Sequence, residues 1–283
     1  MTMRGVLLAA SIALAASAGG AFAGPFEDAE AALARGDYAT ALQLLHPLAA
    51  EGHTSAQANL GILYQFGRGT AQNYAEALKW YRIAADKGFG RAQNNLGIMY
   101  QNGYGISQNY TEAVKWYRRA AELDYVEAEY NLANMYQKGL GVPQDYAEAV
   151  KWYRIAAEQR YAPAQNNLGG MYQQGLGVPQ DSAEAVRLYR HAADQGESLA
   201  QNNLGIMYAT GQGIPQDHVQ AYMWFSLAVS LGNQVAKANR DKVVEFMNQA
   251  QIAAAEKLAR EWTPQPVTGP SILIRPAKPA PSP

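Results

Sequence analysis

Between Val126 and Tyr161 the apolar residues fall at helical spacing twice, with a polar break between the two runs. In the first run Ala128, Leu132, Met135 and Tyr136 recur at i, i+4, i+7 and i+8, which sets them on one face of a helix. Gly139-Leu140-Gly141 interrupts the pattern, because glycine reaches positive φ at little steric cost. In the second run Ala149, Trp152, Tyr153, Ala156 and Ala157 make a second apolar stripe, while Glu148, Lys151 and Arg154 fall off it and are expected in water. Alanine lets helices approach closely, and Trp and Tyr fill the space between neighbouring pairs. Asp145 followed by Glu148 predicts a capping box at the start of the second helix. Such a hairpin cannot bury its own apolar face and must stack on its neighbours.

Nearly the same text returns every 36 residues, as Thr54–Phe89, Gly90–Tyr125, Ala162–Glu197 and Ser198–Asn233. The capping pair recurs as Asn73/Glu76, Asn109/Glu112, Asp181/Glu184 and, with glutamine, Asp217/Gln220. A fixed period in this range marks a repeat array. The pattern A-x-x-x-L-G-x-M-Y-x-x-G-x-G-(V/I)-x-Q-(D/N)-Y-x-E-A-x-K-W-Y-R-x-A-A resembles the Sel-1-like repeat (SLR), a branch of the tetratricopeptide superfamily. The resemblance runs over residues 54–233 and implies an all-α, right-handed superhelical solenoid of helix-turn-helix repeats. It also implies a scaffold whose first helices line a concave groove for a protein or peptide partner, and it does not imply an enzyme.

Residues 24–53 align with the repeats at the same offset but with a shortened loop, which predicts an N-terminal cap of two helices, 27–35 and 38–51. Pro47 is expected to disturb the second of these. The second helices of the repeats end at Gly88, Asp124, Arg160, Gly196 and Gly232. Glycine suits a left-handed closing residue and aspartate tolerates it, whereas Arg160 predicts a strained or differently shaped junction. In the fifth copy Tyr222-Met223-Trp224-Phe225 removes the usual charges, so that helix is expected to be covered on more than one side. Residues 234–262 supply the cover, a C-terminal cap with Asn248/Gln251 as capping box and Ile252, Ala255, Leu258, Ala259 and Trp262 as its stripe. The proline-bearing residues 263–283 predict a disordered, polyproline-like tail, in which Ser271–Arg275 either docks as a short strand or stays free.

The first 23 residues have a positive start, an apolar run from Val6 to Ala16 and the small-x-small site Ala21-Phe22-Ala23. This predicts a secretory signal peptide cleaved after Ala23, and with it a periplasmic or secreted protein with no integral membrane segment afterwards. The formal net charge is −1 with no basic footprint, which disfavours nucleic acid. The chain has no cysteine, which excludes disulfides, thiolate metal sites, a cysteine nucleophile and a lipidated mature N-terminus.

No catalytic or metal-binding constellation emerges. His46, His53, His191 and His218 lie in different copies or junctions, and none has a second ligand three or four residues away. No Ser or Thr sits in a G-x-S-x-G turn, no glycine-rich phosphate loop opens a helix, and no cofactor is implied. The repeated Trp-Tyr pairs (Trp80-Tyr81, Trp116-Tyr117, Trp152-Tyr153) fit core packing better than sugar stacking. Lys79/Arg82, Lys115/Arg118 and Lys151/Arg154 form a basic row expected to be solvated beside Glu76, Glu112 and Glu148.

The first helices carry the candidate binding face. An asparagine recurs at Asn59, Asn95, Asn131, Asn167 and Asn203, either as a structural amide ladder or as a grip on peptide backbone. The preceding positions, Ala58, Asn94, Tyr130, Asn166 and Asn202, are expected to point more openly into the groove. So are Ile62, Ile98, Asn134, Gly170 and Ile206, whose variation among copies is what a ligand-facing surface would show. The predicted groove residues are therefore Asn94, Asn95, Tyr130, Asn131, Asn134, Asn166, Asn167 and Asn202, with Tyr130 and Asn134 the most distinctive pair. The competing reading is a cell-wall role (peptidoglycan or penicillin binding, or weak β-lactam hydrolysis), but the relatives that suggest it are cysteine-rich. The sequence leaves the oligomeric state open.

Overall fold

The computed structural model describes residues 24–265, so the signal segment and Ser271–Arg275 lie outside the described residues. Within them the chain forms fourteen α-helices and a short 3-10 turn at Val244–Phe246, with no strand. The first helices of the five repeats are α3 (Thr54–Phe66), α5 (Gly90–Asn102), α7 (Val126–Lys138), α9 (Ala162–Gln174) and α11 (Ser198–Thr210). The second helices are α4 (Tyr74–Asp86), α6 (Tyr110–Ala121), α8 (Tyr146–Glu158), α10 (Ser182–Asp194) and α12 (His218–Ser230). Before them stand α1 (Pro25–Ala34) and α2 (Tyr38–Ala50), and after them α13 (Gln234–Val243) and α14 (Gln249–Glu261). From α1 to α13 each helix packs on its neighbours in the chain, giving a two-layer solenoid of odd and even helices.

The core is a column of tyrosines set against small residues. Tyr81, Tyr117, Tyr153 and Tyr189 are buried, and in the fifth repeat Phe225 takes their place. The first helix yields room for each ring: a Cβ on Gly97 would lie 2.6 Å from the Tyr117 ring. Gly61, Gly169 and Gly205 stand at the same register and Ala133 in the third repeat, so a small residue there lets the two helices of a hairpin close. Each hydroxyl finds a partner in its own hairpin, with Tyr81 donating to Gln65 Oε1 at 2.6 Å and Tyr117 to Gln101 Oε1 at 2.7 Å. The tryptophans beside them are half-buried, their rings covered by Lys79, Arg119 and Lys151.

The glycine pair in each loop has two jobs. Gly67 closes α3 in the left-handed region at φ 64°, and Gly69, also left-handed, lies against the previous hairpin, where a Cβ would come within 2.6 Å of the Tyr38 carbonyl. The second helices end on residues with positive φ throughout, including Asp124 at 57° and Arg160 at 63°. The Arg160 junction thus keeps the shape of its glycine counterparts rather than adopting another.

Several expectations need correction. The capping box is half-formed in the repeats: Asn73, Asn109, Asp145, Asp181 and Asp217 accept from the backbone three residues on, but the glutamates turn outward to the basic row. Lys79, Lys115 and Lys151 pair with Glu76, Glu112 and Glu148 at 3.3, 2.6 and 3.2 Å. Only Asn248 and Gln251, among the described helix starts, make the full reciprocal box. Pro47 does not break α2, because it lies on the exposed face, where water can serve the carbonyl it leaves unbonded. In α14, Leu258 is exposed and Ala255 alone of the expected stripe is fully buried.

That last helix leaves the solenoid's rhythm. It packs on α12 rather than continuing the stack, and Trp262 meets Trp224 edge-on at 6.1 Å. Covered on this additional side, α12 buries Tyr222, Met223, Trp224 and Phe225 together. Beyond it the Gln265 amide donates to the Asp194 carbonyl at 2.8 Å.

Candidate functional site

The odd-helix layer carries a polar surface whose bonding is only partly that expected from the sequence. Asn94, Asn166 and Asn202 are 4, 8 and 7% exposed, so they are largely buried rather than open to solvent. Their side-chain oxygens instead accept from the next repeat: Asn131 donates to Asn94, Asn203 to Asn166 and Asn239 to Asn202, each at 2.9 Å. Each link spans 37 residues, one more than the repeat, because it joins the buried asparagine of one first helix to the half-exposed one of the next. These amide pairs tie neighbouring hairpins together and are the structural ladder. At the N-terminal end the ladder changes partners, with Asn59 accepting from Arg91 at 3.3 Å.

In the third and fourth repeats the ladder gives way to a cluster around Tyr130. An asparagine here would have bonded Asn167; the larger Tyr130 is half-buried, with its ring 5.4 Å from Tyr161 and 5.9 Å from Tyr153. Asn167 turns to the Tyr153 hydroxyl at 3.2 Å and the Tyr130 hydroxyl at 3.5 Å. The Tyr153 hydroxyl lies 2.8 Å from Asn134 Oδ1 and 2.7 Å from Gln137 Oε1. Burial raises the Tyr153 hydroxyl far above the usual phenol range, and pushes Tyr161 up to about 12, so both stay protonated donors.

Next to this cluster is a depression of about 430 Å³. Its walls are Tyr130, Asn134, Gln137 and Lys138 of α7, and Asn166, Asn167, Gln173 and Gln174 of α9. Gly170 lies at its floor, and a Cβ there would meet nothing nearer than the Tyr189 hydroxyl at 3.6 Å. At that register the other copies carry Ile62, Ile98, Asn134 and Ile206, so the cavity exists because one side chain is missing. Of the predicted groove residues, Tyr130, Asn134, Asn166 and Asn167 meet at this depression, whereas Asn94, Asn95, Asn131 and Asn202 lie elsewhere along the layer.

The sequence reading passed over Gln137, Lys138, Gln173 and Gln174 of the walls. It also passed over Glu129, which stands where the other copies have Gln57, Gln93, Gln165 and Gln201. Those glutamines each donate to an alanine carbonyl eight residues back, for example Gln93 to Ala85 at 3.1 Å. Glu129 is fully buried, accepts from Gln159 at 2.7 Å with one oxygen, and has no partner for the other. Burial pushes its carboxyl up to about 7, and the neighbouring Asp124 and Glu127 charges add to the shift. The aligned copies held the signal, a single acid in a column of amides.

No group of three or more His, Cys, Asp or Glu among the described residues is arranged to hold a metal ion. No described helix is long and apolar enough to cross a membrane.

The Sel1 repeat family model matches the chain five times, at residues 54–89, 90–125, 126–161, 162–197 and 198–233. Among solved structures, a Sel1 repeat protein from Oxalobacter formigenes is 34% identical with a TM-score of 0.73, covering 86% of this chain and all of its own. The protective antigen c5321 of uropathogenic Escherichia coli, which displays an SLR fold, is 35% identical with a TM-score of 0.70. That match covers 82% of this chain but 52% of the antigen, so the chain spans about half that relative's length. The immunity protein Pa5087 from Pseudomonas aeruginosa, 20% identical over 72% of this chain and 82% of its own with a TM-score of 0.51, shares the fold. The proteins of curated function include no match.

Proposed function

The chain belongs to the Sel1 repeat family, and from that premise we propose that it is a non-enzymatic scaffold that binds a protein or peptide partner across its odd-helix face in the cell envelope. Sel1 repeats generally mediate protein interactions, and their proteins are generally scaffold folds without catalysis. The observation that carries the reading is the depression beside Tyr130 and over Gly170. It stands where Tyr130, Asn134 and Gly170 depart from the repeat text, on the layer that resemblance assigns to the concave groove. Elsewhere on that layer Asn94 and Asn202 are engaged in amide pairs that hold the hairpins together, which makes this stretch the place where specificity can reside. The envelope location rests on the signal-like residues 1–23.

A crosslinking pull-down from cell envelopes tests the reading, comparing the intact protein with a Tyr130→Ala/Asn134→Ala double variant. A specific protein recovered by the first and lost by the second supports it; equal recovery moves the interface to another face, and recovery of glycan alone replaces the scaffold with a cell-wall role. Cell fractionation with N-terminal sequencing tests the location, with a mature protein beginning at Gly24 expected.

A further inference from the structure

We propose that the run Ile272-Leu273-Ile274 docks in cis on an apolar patch at the junction of α11, α12 and α13. Leu199, Leu231 and Val235 are 58, 56 and 64% exposed. Leu199 and Val235 are each the second residue of their helix, and Leu231 caps α12 just before α13 begins. The Asn233 side-chain amide donates to the Ser198 carbonyl and hydroxyl, both at 3.3 Å. That contact sets Leu231 and Val235, which flank Asn233, beside Leu199. Single apolar side chains on a surface are ordinary, but three large ones gathered at one place offer a seat for an apolar group.

The chain itself is brought to this place. The Gln265 amide donates to the Asp194 carbonyl at 2.8 Å. Asp194 ends α10, and only the turn 195–197 separates it from Ser198 at the start of α11. Residues 266–271 then lead to Ile272. At about 3.3 Å per extended residue they reach roughly 20 Å, more than the 8–10 Å or so between packed helices. Pro266 and Pro270 narrow the conformations open to this connection, which lowers the cost of closing it. A tether this short holds the run at an effective concentration on the order of millimolar. The chain's own segment is thereby favoured over a second copy or a free peptide. Ile272-Leu273-Ile274 is the one run of three large apolar residues after Gln265, and Arg275 follows it directly. The turn beside the patch carries the acids Asp194 and Glu197, so charge agrees with the apolar match. The docked run covers the starts of α11 and α13, the C-terminal end of the odd-helix layer.

The test places a photo-crosslinking amino acid at Val235 of the full chain, with a second protein carrying it at Phe66, an exposed apolar residue of the first repeat. Equal amounts of 14N- and 15N-labelled chain are mixed before irradiation, and the linked peptides are read by mass spectrometry. The expected product is a link from position 235 to residues 272–274 within one chain, with no capture of those residues from position 66. Leu273→Asp is expected to lower its yield about tenfold, while far-UV circular dichroism stays that of the parent. Leu273→Met, which keeps an apolar side chain, is expected to leave most of the yield. Links that mix the two labels would put a second copy on the patch, and links from position 235 that miss residues 272–274 would put another segment there. Either result overturns the proposal, as does equal capture from position 66, the absence of any link, or a yield indifferent to Leu273→Asp.

Discussion

The Tyr117 hydroxyl donates to Gln101 Oε1 at 2.7 Å, and the same bond, sixteen residues apart, recurs as Tyr81–Gln65, Tyr153–Gln137 and Tyr189–Gln173. In the fifth repeat both partners vanish together, leaving Phe225 and Ala209. The physical reason is that a buried hydroxyl without an acceptor costs about 1–3 kcal/mol, whereas removing both groups is nearly neutral. Phe225→Tyr alone is therefore expected to destabilise the chain by about that amount, and addition of Ala209→Gln to restore most of it. Urea denaturation of the two singles and the double gives the coupling; additive effects would contradict the pairing.

Glu129 makes stability depend on pH in a defined direction. Its folded pKa of about 7 lies above the unfolded carboxylate value, so the folded state holds the extra proton between those limits. Stability is then fully present below the unfolded pKa and falls as pH rises through the folded one, at most by about 1.4 kcal/mol per pH unit. Glu129→Gln is expected to remove that slope and to raise stability above pH 7, since the amide it introduces would donate to the Ala121 carbonyl as its counterparts do to theirs. The difference between the two proteins across pH 5–8 isolates this group; parallel profiles would refute the assignment.

Gly170 costs stability and keeps the cavity open. A glycine inside a helix is about 0.5–1 kcal/mol less favourable than alanine, and a Cβ at this position has room. Gly170→Ala is expected to raise stability by about that amount in chemical denaturation. A loss would mean that the backbone there is more crowded than the geometry indicates.

In the C-terminal cap Trp262 packs edge-on against Trp224 of α12. Trp262→Ala is expected to cost about 1–3 kcal/mol and to raise amide exchange first in α14 and α12, because solenoid stability propagates through nearest neighbours. Uniform loss of protection from α1 to α14 would argue against a local cap.

The period made the fold legible. Helix pairs, glycine closures, the tyrosine column and the cap over Trp224 all follow from apolar spacing and from comparison of copies. What stayed hidden were contacts out of register with that period. The Asn94–Asn131 pair spans 37 residues, and the Arg118–Tyr136 and Arg154–Tyr172 bonds span 18, so in-register alignment could not reveal them. That is why Asn94, Asn166 and Asn202 read as groove-facing in the sequence when they are the buried halves of amide pairs. Pro47 misled for a related reason, since its tolerance depends on which face of α2 meets water. Tyr130, Asn134 and Gly170 were visible as departures from the repeat, but their convergence with Lys138 and Gln173 needed the packing of α7 on its neighbours.

The most direct test of the scaffold account places a photo-crosslinking amino acid at Tyr130 in living cells, with a second protein carrying it at Lys79 on the even-helix face. The account predicts a discrete protein adduct from position 130 that disappears with Gly170→Ile, and none from position 79. An adduct from position 79 alone, or none from either position, would contradict it.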